Sequence, residues 1–179
     1  MSDVNSVRIR REVRTLSKGV WNSIVTALWT MKTTSQTKGL ELYGVNFRNY
    51  DLMVIKHIKA ALHPAGDQAH FTAVFPVFHL LWVLEMENAL RAIDPTIQAV
   101  PYWNCLLNAQ AIFTAEYFGS FSGTGTEYAV IDGRFARWPI PFSREVGLDY
   151  SNSYGFMRAP LNTNRSPYVT RRGGSMCGY

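Results

Sequence analysis

His70-Phe71-Thr72-Ala73-Val74-Phe75-Pro76-Val77-Phe78-His79 is the stretch on which the fold turns. At this spacing, two histidines on one continuous helix stand on opposite sides of it. Pro76 resolves the difficulty. Its missing N–H costs nothing in the first turn of a helix, so a helix can begin there. The sequence therefore predicts a loop from Pro64 to about Phe75, then a helix to about Ile93, stopped by Asp94-Pro95. His70 falls on the loop and His79 in the first turn. His79, Val83, Met86 and Leu90 share one stripe of this helix, expected to be buried. Glu87 lies two turns beyond His79 on a neighbouring part of the same face.

Working outward, Asp51 is the expected cap of a preceding helix that ends before Pro64. Val54, His57, Ile58 and Ala61 share one of its faces, which points His57 inward. Thr33 to Gly39 reads as a polar loop. Before it, Ser17 caps a helix to about Met31 that gathers Trp21, Ile24, Leu28 and Met31 on one side. Residues 1–100 are thus mostly helical. Downstream the punctuation changes: nine of the 13 glycines follow Phe118 and five of the 8 prolines follow residue 100. Residues 117–179 read as turns and irregular structure with at most short strands. No repeat, low-complexity tract or linker interrupts the chain.

Composition bounds the classes. The 179 residues are 47% hydrophobic and 17% charged, which fits one globular domain over 1–179 with a real core. Aromatic residues at 13% exclude a disordered polymer. Cys105 and Cys177 allow at most one bridge, which excludes a disulfide scaffold. A net charge of +5 and a pI near 9.4 admit a nucleic-acid partner. The charge is scattered, however. Arg8, Arg10, Arg11, Arg14 and Lys18 near one end, and Arg158, Arg165, Arg171 and Arg172 near the other, form no basic-aromatic module, and they read as solvated surface. No apolar run reaches the roughly 18 residues of a membrane span, and no secretory signal stands at Met1, so nothing assigns a compartment. Asn164-Arg165-Ser166 fits a glycosylation triplet that is common by chance.

All 4 histidines, His57, His63, His70 and His79, lie between residues 57 and 79. Taken singly, each reads as an ordinary core or surface residue. Taken together, His57 from one helix, His70 from the connection and His79 from the next helix can surround one metal ion. Neutral imidazole suits copper or zinc. His63, next to Pro64, reads as a solvated bystander.

Beyond this point the residues resemble a family. The run from His70 to His79, with Glu87 following, resembles the first copper-binding motif of the tyrosinases, the type 3 copper family that includes catechol oxidases and haemocyanins. Flanking segments match in order. Arg8 to Ser17 is similar to the family's opening segment, and Tyr50-Asp51 with His57 to the stretch carrying a first ligand. Asp94-Pro95 and Pro101-Tyr102-Trp103 follow the motif helix, and Asp132-Gly133-Arg134-Phe135-Ala136 resembles a later turn. Arg158 to Asn164 and Ser166 to Arg171 resemble a stretch between the two copper motifs.

The resemblance implies a mainly α fold: a partial tyrosinase-type four-helix bundle, with two copper-site helices and an N-terminal helix, then a loop-rich segment over 101–179. It implies His57, His70 and His79 as ligands of one copper, with Phe75 touching the site and Glu87 behind it. It implies an oxidoreductase that uses dioxygen to hydroxylate monophenols and to oxidise o-diphenols to o-quinones. Departures are equally plain. Leu80 replaces the usual Arg, and Asn104-Cys105 the usual Asp-Trp. Gln68 stands where many members have a cysteine that bonds to a ligand histidine. No histidine follows His79, so the second copper has no ligands here. Three readings follow: a fragment or truncated form of an oxidase, a non-catalytic copper-binding or interaction protein, or a structural remnant without metal. The uncovered face of a half bundle is expected to make the chain poorly soluble or to pair it with a second copy or another chain.

Overall fold

The computed structural model describes residues 7–71, 73–120, 128–141, 151–152, 155–156, 164 and 166–170. Cys177 and the arginines at 158, 165, 171 and 172 lie outside these residues, as does most of the 158–164 segment. The described chain is mainly helical and falls into two compact units, Met1–Trp103 and Asn104–Tyr179.

In the first unit α1 spans Lys18–Thr33, and the Ser17 hydroxyl caps it by accepting the Val20 N–H. Its inner face buries Trp21, Ile24, Val25, Ala27 and Met31, packed against α3 and α4. Leu28 is only half-buried. The expected polar loop over 33–39 is instead largely a helix. α2 runs over Gln36–Tyr43 from a Ser35 cap and ends at Gly44, whose φ of 81° suits glycine. Its apolar pattern is faint because it buries only Gly39, while Leu40 and Leu42 are exposed. Gly39 is required there: a Cβ would stand 1.9 Å from the ring of the fully buried Phe47. Gly39→Ala is expected to cost about 1–3 kcal/mol by overpacking, visible as a lowered urea midpoint.

α3 spans Tyr50–Ala61, and its cap is Asn49 rather than Asp51. The Asn49 Oδ1 accepts the Leu52 N–H, while its Nδ2 donates to the carbonyls of Met31 and Thr34 at 3.1 and 2.9 Å. One side chain thus closes α1 and opens α3. Asn can do both because it carries donor and acceptor; Asp51 cannot, and pairs with Lys32 from the first turn instead. α4 spans Phe75–Ile93, starts with Pro in its first turn and stops at Asp94, as the sequence predicts. Trp82 Nε1 donates to the Met53 carbonyl at 3.0 Å, and Lys56 meets Glu85 at 2.5 Å; both join α4 to α3.

The N-terminal segment is extended. Tyr102 donates to the Arg11 carbonyl and receives the Val13 N–H, forming a parallel bridge at Glu12. Arg8 and Arg10 reach Glu87, and Arg14 reaches Glu12, so three of the basic residues read as solvated surface have carboxylate partners.

The second unit is built from turns. Short 3-10 segments lie at Ala109–Ile112 and Gly133–Phe135, and a small antiparallel pair joins β1 (Ser151–Asn152) to β2 (Gly155–Phe156). Val130, Trp138 and Ile140 form its core, tied to 167–169 by backbone bonds. Asn164 is buried, with its Oδ1 accepting the Ser166 N–H at 2.8 Å, which leaves the glycosylation triplet without an accessible amide.

Candidate metal centre

The α3–α4 connection is a built structure. Leu62 closes α3, Gly66 turns at φ 109°, and the Gln68 N–H returns to the Ala60 carbonyl at 2.9 Å. Asp67 Oδ1 accepts the N–H groups of Ala69 and His70, both at 2.8 Å. This places His70 opposite His57 on α3 and His79 on α4, in the second turn rather than the first.

The three imidazoles converge. Ring centroids are 4.9 Å apart for His57–His70 and 5.3 Å for both His57–His79 and His70–His79. One ring nitrogen from each lies within 4.8 Å of the others. The closest contact, His57 Nε2 to His79 Nε2, is 3.3 Å. Nitrogens about 2.0 Å from one ion in tetrahedral array stand ~3.3 Å apart, so the His57–His79 separation already suits such a set. The donor chemistry suits a borderline transition metal such as copper or zinc.

Two imidazoles have local anchors on their other nitrogen. His79 Nδ1 lies 2.9 Å from the Phe75 carbonyl, and His70 Nδ1 lies 3.1 Å from Asp67 Oδ2. His57 is held by its neighbours: burial, then the nearby His70 and His79, push its pKa below the ordinary histidine value, which favours the neutral imidazole that a metal would need. Burial tends to raise the Asp67 carboxyl, but the bonds from Ala69 and His70 outweigh it and hold the group below the usual range.

Aromatic residues surround the cluster. The Phe75 ring is 4.4 Å from His79 and 6.2 Å from His70. Phe78 is 5.3 Å from His79, and Trp82 is 5.2 Å from His57. Phe71, with φ 56° and 97% exposure, stands beside His70. His63 is outside the cluster: it is exposed and accepts the Ala65 N–H.

Two expectations change. The stripe of His79, Val83, Met86 and Leu90 is not uniformly buried; only Leu90 is, and the other three are half-exposed, as are Val54, His57, Ile58 and Ala61 on α3. Periodicity identifies a face but not whether anything covers it. Glu87 is 2% exposed, and its carboxylate is taken by Arg8 at 2.9 Å, Arg10 at 3.2 Å and the Val100 N–H at 3.0 Å. It secures the N-terminal segment. Asp67 was missed in the sequence, although an aspartate three residues before a loop histidine is a turn signature.

Residues 47–173 match the common central domain of tyrosinase. The chain is also similar to Hemocyanin 2 of Megathura crenulata, at 33% identity over 125 residues. That alignment takes in 65% of this chain, and the chain spans about 3% of the length of that relative.

Proposed function

Because the chain belongs to the tyrosinase family of type 3 copper proteins, we propose that His57, His70 and His79 ligate one copper ion and form one half of a tyrosinase-like oxidoreductase centre. The observation that carries this is the convergence of the three ring nitrogens. When bound, copper supplies the electron and dioxygen chemistry that imidazoles lack. The chain's own residues do the rest. Burial favours the neutral form of His57, and Phe75 and Phe78 offer aromatic surface on which a phenol or catechol ring can rest. We place the half-site wholly in the helical part before residue 100, with 101–179 as its loop-rich companion in the same domain.

Oxygenation of monophenols and oxidation of o-diphenols to o-quinones need a second three-histidine set. His63, the fourth histidine, does not join the first. A second reading is a non-catalytic copper-binding or interaction protein. A bare apolar stripe on α4 supports association in either case: Val77, Leu80, Leu81 and Leu84 are exposed along one side of the helix, away from His79. We propose that another copy or another chain covers it. Among the described residues no helix is long and apolar enough to cross a membrane.

Copper titration tests the proposal. The expected result is one ion per chain with a mononuclear Cu(II) EPR signal and little catechol turnover. Two coupled, EPR-silent ions with rapid turnover would overturn the half-site, and preference for zinc in competition would overturn the choice of metal.

A further inference from the structure

We propose that Asp67 is a positioning residue for this centre: it fixes the proton of His70 on Nδ1, so that Nε2 is the lone pair His70 offers to a metal. The inference rests on the copper reading of the three histidines. A neutral imidazole carries its proton on one nitrogen only, and a carboxylate can only accept. The Nδ1 that faces Asp67 Oδ2 at 3.1 Å must therefore carry the hydrogen. His79 is set the same way by a different device, since the Phe75 carbonyl 2.9 Å from its Nδ1 can also only accept. Two of the three ligands are thus preset before any ion arrives.

Asp67 does more than orient a ring. Its second oxygen holds the backbone N–H groups of Ala69 and His70. One carboxylate therefore fixes both the main chain and the side chain of the same ligand. The next residue, Gln68, ties the loop to the last turn of α3 through the Ala60 carbonyl, and α3 also carries His57. Among the described residues no lysine or arginine pairs with Asp67, so its charge is directed at His70. Outer partners of this kind fix ligand orientation and raise ligand basicity, and their loss typically weakens metal binding about 10- to 100-fold.

Asp67→Asn separates the two jobs. The Asn oxygen can still accept from Ala69 and His70, so the loop is kept. Its amide nitrogen, however, presents a donor to Nδ1 and favours the opposite tautomer. Nitrogen-15 NMR of the metal-free chain at alkaline pH should report the His70 proton on Nδ1 in the wild type and on Nε2 in the variant. Cu(II) affinity should fall about 10- to 100-fold, with altered EPR parameters and an unchanged far-UV spectrum. Asp67→Ala, which also loses the turn, should bind no better than Asp67→Asn. An unchanged tautomer, or copper affinity within about twofold of wild type, would overturn the proposal. If the wild type takes up no copper, the half-site fails, while the metal-free tautomer measurement still decides the role of Asp67.

Discussion

His79→Ala is expected to abolish copper retention. His79 is one of the three proposed ligands, with its Nε2 3.3 Å from that of His57 and its ring centroid 5.3 Å from that of His70. Two imidazoles remain without it, and the loss should exceed the roughly 100-fold typical of removing an outer partner. The metal-free fold should survive, because His79 is half-exposed and its ring anchor is the carbonyl of its own helix. Equilibrium dialysis against copper, with circular dichroism on the same samples, separates the outcomes. Retention within about tenfold of wild type would remove His79 from the ligand set. His63→Ala is the matched control, and its copper binding should be unchanged.

The second large effect concerns stability. Glu87 is buried, and three donors converge on it from the N-terminal segment and from Val100. Glu87→Ala leaves the Val100 N–H unpaired and two guanidinium groups without a counter-charge. Both arginines remain about a third exposed and can be rehydrated, which limits the damage. A loss of about 2–4 kcal/mol by urea denaturation is expected. Arg8→Ala should cost only about 1 kcal/mol, since its side chain is 35% exposed. The pH dependence follows the same chemistry. Burial raises the Glu87 carboxyl, but the bonds from Arg8, Val100 and Arg10 more than offset this and hold it below the ordinary glutamate value. Its contribution is therefore complete above the unfolded pKa and is lost as pH falls through the lower folded one. Glu87→Gln should flatten the acid limb of the stability curve. An acid limb identical to wild type would show that Glu87 does not titrate with folding.

The legible parts of the sequence are those with a local cause. Ser17 caps α1 and Asp94-Pro95 ends α4 because each signal acts within a turn of itself. The histidine triad was legible because Pro76 forces His70 off the helix. α2 was not, since a helix that buries one glycine leaves no periodic apolar stripe. Asn49 outcompetes Asp51 as a cap because it also serves α1, a nonlocal advantage. The pairing of Glu87 with Arg8 and Arg10 was illegible for the same reason: the residues that meet lie far apart in sequence. Asp67 escaped notice because its value depends on both oxygens being used at once.

Sequence separation also orders how these parts come together during folding. The contact that closes the three-histidine cluster spans 22 residues, whereas the Arg8–Glu87 contact spans 79. Loop-closure entropy rises with the logarithm of that separation, and short-range contacts form faster. The α3–loop–α4 hairpin can therefore assemble while the N-terminal arm is still searching. The three histidines can come together before the fold is locked, and the arm then acts as the late-arriving clasp.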